Sequence, residues 1–170
     1  YGNNDVIGPD ARHGTHVAGI IAAVRGNGIG MDGVADNVEI MVLRTVPNGD
    51  EYDKDVANAI RYAVDNGASI INMSFGKSFS WDKAIVDAAV KYATKKDVLL
   101  VHAAGNSSEN TDIEDNYPND AYAKRGWFSP KSSKTWMEIG ALSWKPNQVA
   151  TFSNYGKGNV DVFAPGVDIN

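Results

Sequence analysis

The sequence of 170 residues contains no cysteine and no long uninterrupted apolar segment, and its basic residues are outnumbered by acidic ones. Without cysteine there is no disulfide bond, thiolate metal site or cysteine nucleophile. With no apolar stretch near the length of a bilayer, the sequence predicts no membrane-spanning helix. The 16 Lys and Arg residues against 21 Asp and Glu residues give a formal net charge of −5. Because no basic stripe or cationic run is present, we expect neither nucleic acid nor an anionic membrane as a partner.

What the sequence does contain is an alternation of apolar segments that favour strands with amphipathic segments that favour helices. The predicted strands cover residues 38–46, 69–76, 97–104, 136–144, 149–156 and 160–166, and helices are predicted over 53–66 and 81–95. Short connections between them favour parallel pairing, with helices packed on the sheet. We therefore predict an α/β fold with a mostly parallel sheet and helices on both faces, in three layers and incomplete at both ends.

The chain carries no internal repeat and no linker, which predicts a single domain over residues 1–170. Both ends have the composition of loop interiors, so we expect this domain to be partial, the central portion of a larger one. Residues 107–135 are polar and irregular, and a loop of that length is either functional or mobile. We predict a variable loop there.

Residues 12–23 form the stretch around which the rest of the sequence is organised. Val17, Ile20 and Ile21 recur at helical spacing, which predicts a helix that begins at or just after His13. His13 would then lie among unpaired backbone N–H groups at the positive end of the helix dipole, where a protonated imidazole is disfavoured. A carboxylate partner would be needed for His13 to act as a general base.

The motif HGTHVAG at residues 13–19 resembles the histidine motif of the subtilisin-like serine proteases. The resemblance implies the subtilisin-like fold, with His13 as the catalytic base and His16, one turn later, as a packed residue. Residues 103–106, AAGN, resemble the segment of that family that carries the oxyanion asparagine. An asparagine amide at a strand end is able to donate to a developing oxyanion, so Asn106 is the candidate donor; the alternative is that Asn106 only ends the strand.

A third segment, residues 71–76, resembles the strand that lines the family's substrate cleft. There the backbone of Ser74, Phe75 and Gly76 would pair with an extended peptide through main-chain hydrogen bonds. Gly76 would leave room for a substrate side chain, and Phe75 would shape a neighbouring subsite.

The family's chemistry also requires an aspartate and a serine, and this sequence supplies neither in the family's context. Asp5 and Asp10 precede His13 without an Asp-Thr-Gly or Asp-Ser-Gly motif, and no Gly-Thr-Ser motif occurs. Without a nucleophile no acyl-enzyme forms. We therefore expect a fragment of a peptidase catalytic domain that is inactive on its own.

The resemblance implies no cofactor for the chemistry and leaves structural calcium as an expectation. Asn27, in the glycine-dense loop 26–35, is the candidate calcium ligand. That loop follows a helix instead of joining a strand to a helix, which disfavours a phosphate cradle. The resemblance further implies polypeptide substrates and an extracellular or cell-envelope location. Core surface exposed on a fragment would favour an oligomer.

Two other interpretations stay open at this point. One is a non-catalytic protein with the subtilase fold that binds peptides in the cleft. The other is an unrelated α/β nucleotide- or metal-binding domain, in which His13 and His16 share a helix face and bind zinc.

Overall fold

The structure is a computed structural model that describes residues 3–123 and 130–169. Its elements in chain order are α1 (Arg12–Ala22), α2 (Asp53–Asp65), β1 (Ile70–Met73), α3 (Lys83–Lys95), β2 (Leu99–Ala103), β3 (Trp136–Leu142) and β4 (Val162–Pro165). The described residues form two compact units, 3–44 with α1, and 45–123 with 130–169, which hold the other elements. No helix in the described part of the chain has the length and apolar character that crossing a membrane requires.

The four strands form one sheet in which every neighbouring pair is parallel. They lie side by side in chain order, β1-β2-β3-β4. The helix α3 connects β1 to β2, because a parallel pair needs a crossover connection. The predicted α/β fold with a mostly parallel sheet is confirmed, and all four strands fall within predicted segments.

The helices α2 and α3 pack on one face of this sheet. Their apolar faces and the strands share one core, in which Ile60 of α2, Val90 of α3 and Leu100 of β2 are fully buried. Burying a side chain of this size contributes about 1.5–3 kcal/mol. This core therefore fixes both helices against the strands that lead to the sheet's carboxyl edge.

The opposite face of the sheet carries no helix from residues 45–123 and 130–169. Side chains on this face are more open to solvent, and Ile70 and Val162 are 61% and 45% exposed. Exposed apolar surface of this kind is what the expectation of an oligomer rests on. Oligomerisation itself stays a prediction.

Two predicted strands are absent from the described structure. Residues 38–46 form no strand, and several of their large apolar side chains are exposed: Val38, Ile40, Met41 and Val42. No backbone hydrogen bond pairs them with another segment of residues 3–44, and a β-branched segment becomes a strand only when a neighbour completes its ladder. Residues 149–156 form turns instead, with two isolated bridges, one from Val149 to Leu142 of β3 and one from Tyr155 to Asn110.

The predicted variable loop, residues 107–135, is irregular but closely tied to other segments where the structure describes it; residues 124–129 lie outside the described part. The carboxylate of Asp112 accepts hydrogen bonds from the backbone N–H groups of residues 157–159 at 2.8, 3.0 and 3.0 Å. Tyr117 and Lys77 exchange two backbone hydrogen bonds of 3.0 and 2.8 Å. The loop thus joins the segment after β1 to the segment before β4.

Lys77 also forms a buried ion pair with Asp53 at the start of α2. Its Nζ lies 2.7 Å from Asp53 Oδ1 and donates to the carbonyl oxygen of Glu51 at 2.7 Å. The other carboxylate oxygen of Asp53 accepts from Ser80 Oγ at 3.0 Å and from the N–H of Asp82 at 2.7 Å. Burial alone would raise the pKa of Asp53, but these hydrogen bonds outweigh burial and lower the pKa below its ordinary value.

We expect Asp53→Asn to destabilise the fold by about 3 kcal/mol at neutral pH, because Lys77 would keep its charge in a buried site without the carboxylate that is paired with it. The lowered pKa gives this contribution a pH dependence. It is fully present above the ordinary pKa of aspartate, about 3.9, and it is lost as the pH falls through the lower folded value. Urea unfolding of both proteins between neutral and acid pH would measure the difference.

The matched control is Asp55→Asn on the same helical turn, where the carboxylate makes a surface pair with Lys54. Such a pair contributes about 0–1 kcal/mol. Equal losses in the two variants, or a loss in Asp53→Asn that does not shrink in acid, would contradict the prediction.

Candidate active site

A groove with a volume of about 330 Å³ lies at the carboxyl end of the sheet. It is on the sheet face opposite α2 and α3, because Val101 and Ala103 line it and alternate along β2 with Leu100, which is buried under the helices. His102 also belongs to its lining, although its side chain is 0% exposed. Ser74, which follows β1, and Asn106, which follows β2, both line it. The fold therefore brings together two predicted site residues that lie in separate segments of the sequence. Sites in open parallel sheets occur at this edge.

The cleft segment, residues 74–76, continues β1 beyond its last ladder pair. Among the described residues, no backbone hydrogen bond uses the N–H or C=O groups of Ser74, Phe75 or Gly76. Since β1 is an edge strand, this free backbone is available to an added strand. Only Ser74 of the three lines the groove. Phe75 is half-buried and packs against the core under the helices.

The turn after β2 is held by Asn154, a buried residue that sequence reasoning assigned no role. The backbone N–H of Asn154 donates to the carbonyl oxygen of Gly105 at 2.8 Å, and its Nδ2 donates to that of Ala104 at 2.9 Å. Its Oδ1 accepts from the N–H groups of Ser107 and Glu109 at 2.9 and 3.0 Å. These four hydrogen bonds fix the turn that presents Asn106 to the groove.

Gly105 is required at this turn for two reasons. Its φ of +105° is a backbone conformation that side chains disfavour. A Cβ at this position would also lie 2.5 Å from Nδ2 of Asn154. The turn at the Gly-Asn pair of the predicted oxyanion motif therefore leaves room for the side chain of Asn154 only because residue 105 is glycine.

Asn116, from the variable loop, bridges the two edges of the site. Its Nδ2 donates to the carbonyl oxygens of Ala103 and Ala104 at 3.0 and 3.1 Å. A Cβ added to Gly76 would lie 2.5 Å from Oδ1 of Asn116. The amide thus fills the space between the cleft segment and the end of β2. No sequence pattern marked this residue.

His13 lies in the first turn of α1, in the unit of residues 3–44. The helix begins at Arg12, one residue before the predicted start, and its N-cap residue, Ala11, makes no side-chain capping hydrogen bond. His13 and His16 are both exposed, so the expectation that His16 is packed is not met within this unit. No ion pair joins His13 to Asp5 or Asp10 among the described residues: their carboxylates accept hydrogen bonds from the backbone N–H groups of Gly8 and Arg12.

Asn27 lies in a glycine-rich turn of the same unit. Its Oδ1 accepts a hydrogen bond from the N–H of Ile29 at 2.8 Å, and Asp32 accepts from Gly26 at 2.9 Å. Both side-chain oxygens therefore already stabilise the turn itself. No group of three or more His, Cys, Asp or Glu residues within 3–123 and 130–169 is placed to hold a metal ion. Calcium at Asn27 stays a prediction.

Comparison with known proteins gives one consistent match. The model of the subtilase family, peptidase S8, matches residues 1–170. A thermophilic serine proteinase of Bacillus sp. strain AK1 is 40% identical over 92% of this chain, and the cell wall-associated protease of Bacillus subtilis strain 168 is 38% identical over 99% of it. The chain spans 35% and 17% of the lengths of these two relatives.

Solved structures agree with the sequence matches. A protease of Pseudoalteromonas arctica PAMC 21717 superposes with a TM-score of 0.75 at 31% identity, over 91% of this chain and 43% of that one. The S41 psychrophilic protease superposes with a TM-score of 0.69 at 32% identity, over 91% of this chain and 52% of that one. The histidine motif, the parallel sheet and these matches lead to the same result: the chain belongs to the subtilase family.

Proposed function

We propose that the protein containing this chain is a serine endopeptidase of the subtilisin type that hydrolyses peptide bonds in polypeptides. The observation that carries the proposal is the groove at the carboxyl edge of the sheet, where Asn106 lies beside a strand whose backbone groups are free. An extended polypeptide added to the cleft segment would pass this groove with its carbonyl groups fixed by main-chain hydrogen bonds.

Within this proposal each predicted site residue has one task. Asn106 donates its amide N–H to the oxygen of the attacked carbonyl as negative charge develops there. His13 accepts the hydroxyl proton of a serine nucleophile and then gives it to the leaving amine. The orienting aspartate and the serine would come from outside these 170 residues, since neither motif occurs in them.

The peptidase proposal also covers cofactors, location and association between copies of the chain. The chemistry needs no cofactor, and a structural calcium ion at Asn27 is proposed only as a stabiliser. The name of the Bacillus subtilis relative, a cell wall-associated protease, supports an extracellular or cell-envelope location. The exposed sheet face supports association between copies of the isolated chain.

A second candidate function is peptide binding without catalysis on the same fold. The free backbone of the cleft segment favours it as much as it favours a peptidase, because both need a bound strand. Asn106 separates the two, since a binding groove has no use for an oxyanion donor. Peptide binding by the full-length protein without hydrolysis of the bound peptide would support this second function.

The polypeptide of 170 residues should be inactive on its own, because no acyl-enzyme forms without a serine nucleophile. A fluorogenic peptide assay on the purified chain should give the same signal as its His13→Ala variant. Hydrolysis by the chain that His13→Ala removes would overturn the assignment of a missing nucleophile.

In the full-length protein, His13→Ala should lower kcat at least about 10⁴-fold, because loss of a triad member leaves only binding and oxyanion stabilisation. His16→Ala is the matched control, an exposed histidine one turn later on the same helix, and its kcat should be unchanged. The assignment of His13 fails if the two variants retain the same activity.

Asn106→Ala in the full-length protein should lower kcat about 10²–10³-fold with little change in KM, a figure taken from subtilisin itself, a member of this family. The control is Asn66→Ala at the end of α2, where the amide donates to the carbonyl of Tyr62 outside the groove. A rise in KM with normal kcat would instead make Asn106 a ground-state binding residue.

A further inference from the structure

A buried pair of ionisable side chains lies on the helix-covered face of the sheet, close to the cleft segment. His102 of β2 and Glu138 of β3 stand opposite each other in the parallel register. Nδ1 of His102 is 3.0 Å from both carboxylate oxygens of Glu138, and the side chains are 0% and 8% exposed. Neither residue belongs to a motif of the sequence.

Glu138 is held by contacts to its own strand and to the segment before β4. Its Oε2 accepts a hydrogen bond from Trp136 Nε1 at 2.8 Å, and its backbone N–H donates to Asp161 Oδ2 at 2.8 Å. The indole ring of Trp136 also packs at a tilt against the imidazole of His102, with ring centroids 5.3 Å apart. The carboxylate and the indole together fix the orientation of the imidazole.

The imidazole in turn contacts the cleft segment. The rings of His102 and Phe75 meet edge to face, with centroids 6.4 Å apart and an interplanar angle of 79°. Nε2 of His102 is buried and has no hydrogen-bond partner among the described residues. An unpaired buried nitrogen is costly, and an apolar side chain would fill the space without that cost. A buried polar pair with an unpaired nitrogen is therefore better explained by a role in orienting neighbouring side chains than by a contribution to the stability of the fold.

We propose that His102 is a positioning residue for the substrate, which holds the ring of Phe75 in place beside the path of a bound peptide. The inference rests on the peptidase function proposed above and deepens it. His102 is among the residues that line the groove, but its imidazole is 0% exposed and would act on a bound peptide only through Phe75.

The geometry makes the expected effect selective. Successive side chains of an extended peptide point to opposite faces of the sheet that it joins. Phe75 packs on the helix-covered face, whereas Ser74 and Asn106 line the groove on the other face. Only every second substrate side chain would therefore meet Phe75, and the chemistry at Asn106 would stay unchanged.

The test uses the full-length protein and peptide substrates in which each of four positions before the cleaved bond is in turn Ala, Leu or Phe. His102→Ala should raise KM roughly two- to tenfold for large side chains at alternate positions, the size expected for losing one aromatic contact. The KM values for peptides changed at the intervening positions, and kcat for every peptide, should match those of the wild type. His102→Phe keeps a ring against Phe75, so it should restore the KM pattern although Glu138 loses a hydrogen bond.

Val160→Ala is the control for lost stability, because Val160 is buried but lies outside the core cluster that Phe75 packs against. It should lower Tm without a position-dependent change in KM. If His102→Phe folds poorly, His102→Phe with Glu138→Gln removes the unpaired charge and gives the same test.

The outcomes of this test distinguish the role of His102 from the proposed peptidase function. A uniform rise in KM at all four positions, a pattern equal to that of Val160→Ala, or no rescue by the phenylalanine variants would overturn the role of His102. In those cases the wild type still hydrolyses the peptides, so the proposed function stands. Absence of hydrolysis by the wild-type protein would overturn the proposed function and this inference with it.

Discussion

The candidate site depends on the turn after β2, which is held by hydrogen bonds to asparagine residues from other segments of the chain. The chain bends at Gly105, where β2 ends and no ladder satisfies the backbone. Asn154 donates hydrogen bonds to the carbonyl oxygens of Ala104 and Gly105, and Asn116 donates a second hydrogen bond to that of Ala104. Because buried backbone groups without partners are costly, these hydrogen bonds decide whether the turn keeps one shape. The position of Asn106 at the groove follows from them.

Strands buried under helices were predictable from the sequence, whereas exposed segments with the same composition were not. Residues 70–73 and 99–103 are apolar and lie between amphipathic helices, so local pattern and tertiary packing favour the same structure. Residues 38–46 have an equally β-branched pattern but no strand beside them within their unit. Strand formation depends on a neighbour, which composition does not report. The turns at 149–156 show the same limit, since Asn154 bonds there with residues nearly fifty positions earlier in the chain.

The candidate site residues that stand in short motifs could be named from the sequence, whereas the residues that support the site from other segments could not. His13 and Asn106 stand in contiguous motifs, and the fold places the first at a helix start and the second at a groove. Asn116 and His102 act through contacts to strands that are separate in sequence, with no local spacing to mark them. The four hydrogen bonds of Asn154 likewise become visible only in the folded chain.

The cleft segment lies between two buried polar pairs, and this arrangement explains how an unpaired edge keeps its shape. Lys77, directly after it, is bound by Asp53, and Phe75 within it rests on His102, which Glu138 holds. A segment whose backbone must stay free for a substrate has no ladder of its own to fix it. Apolar contacts alone allow several packings of similar energy. Directional hydrogen bonds in buried pairs favour one position of the segment, so the edge is ordered before a peptide binds.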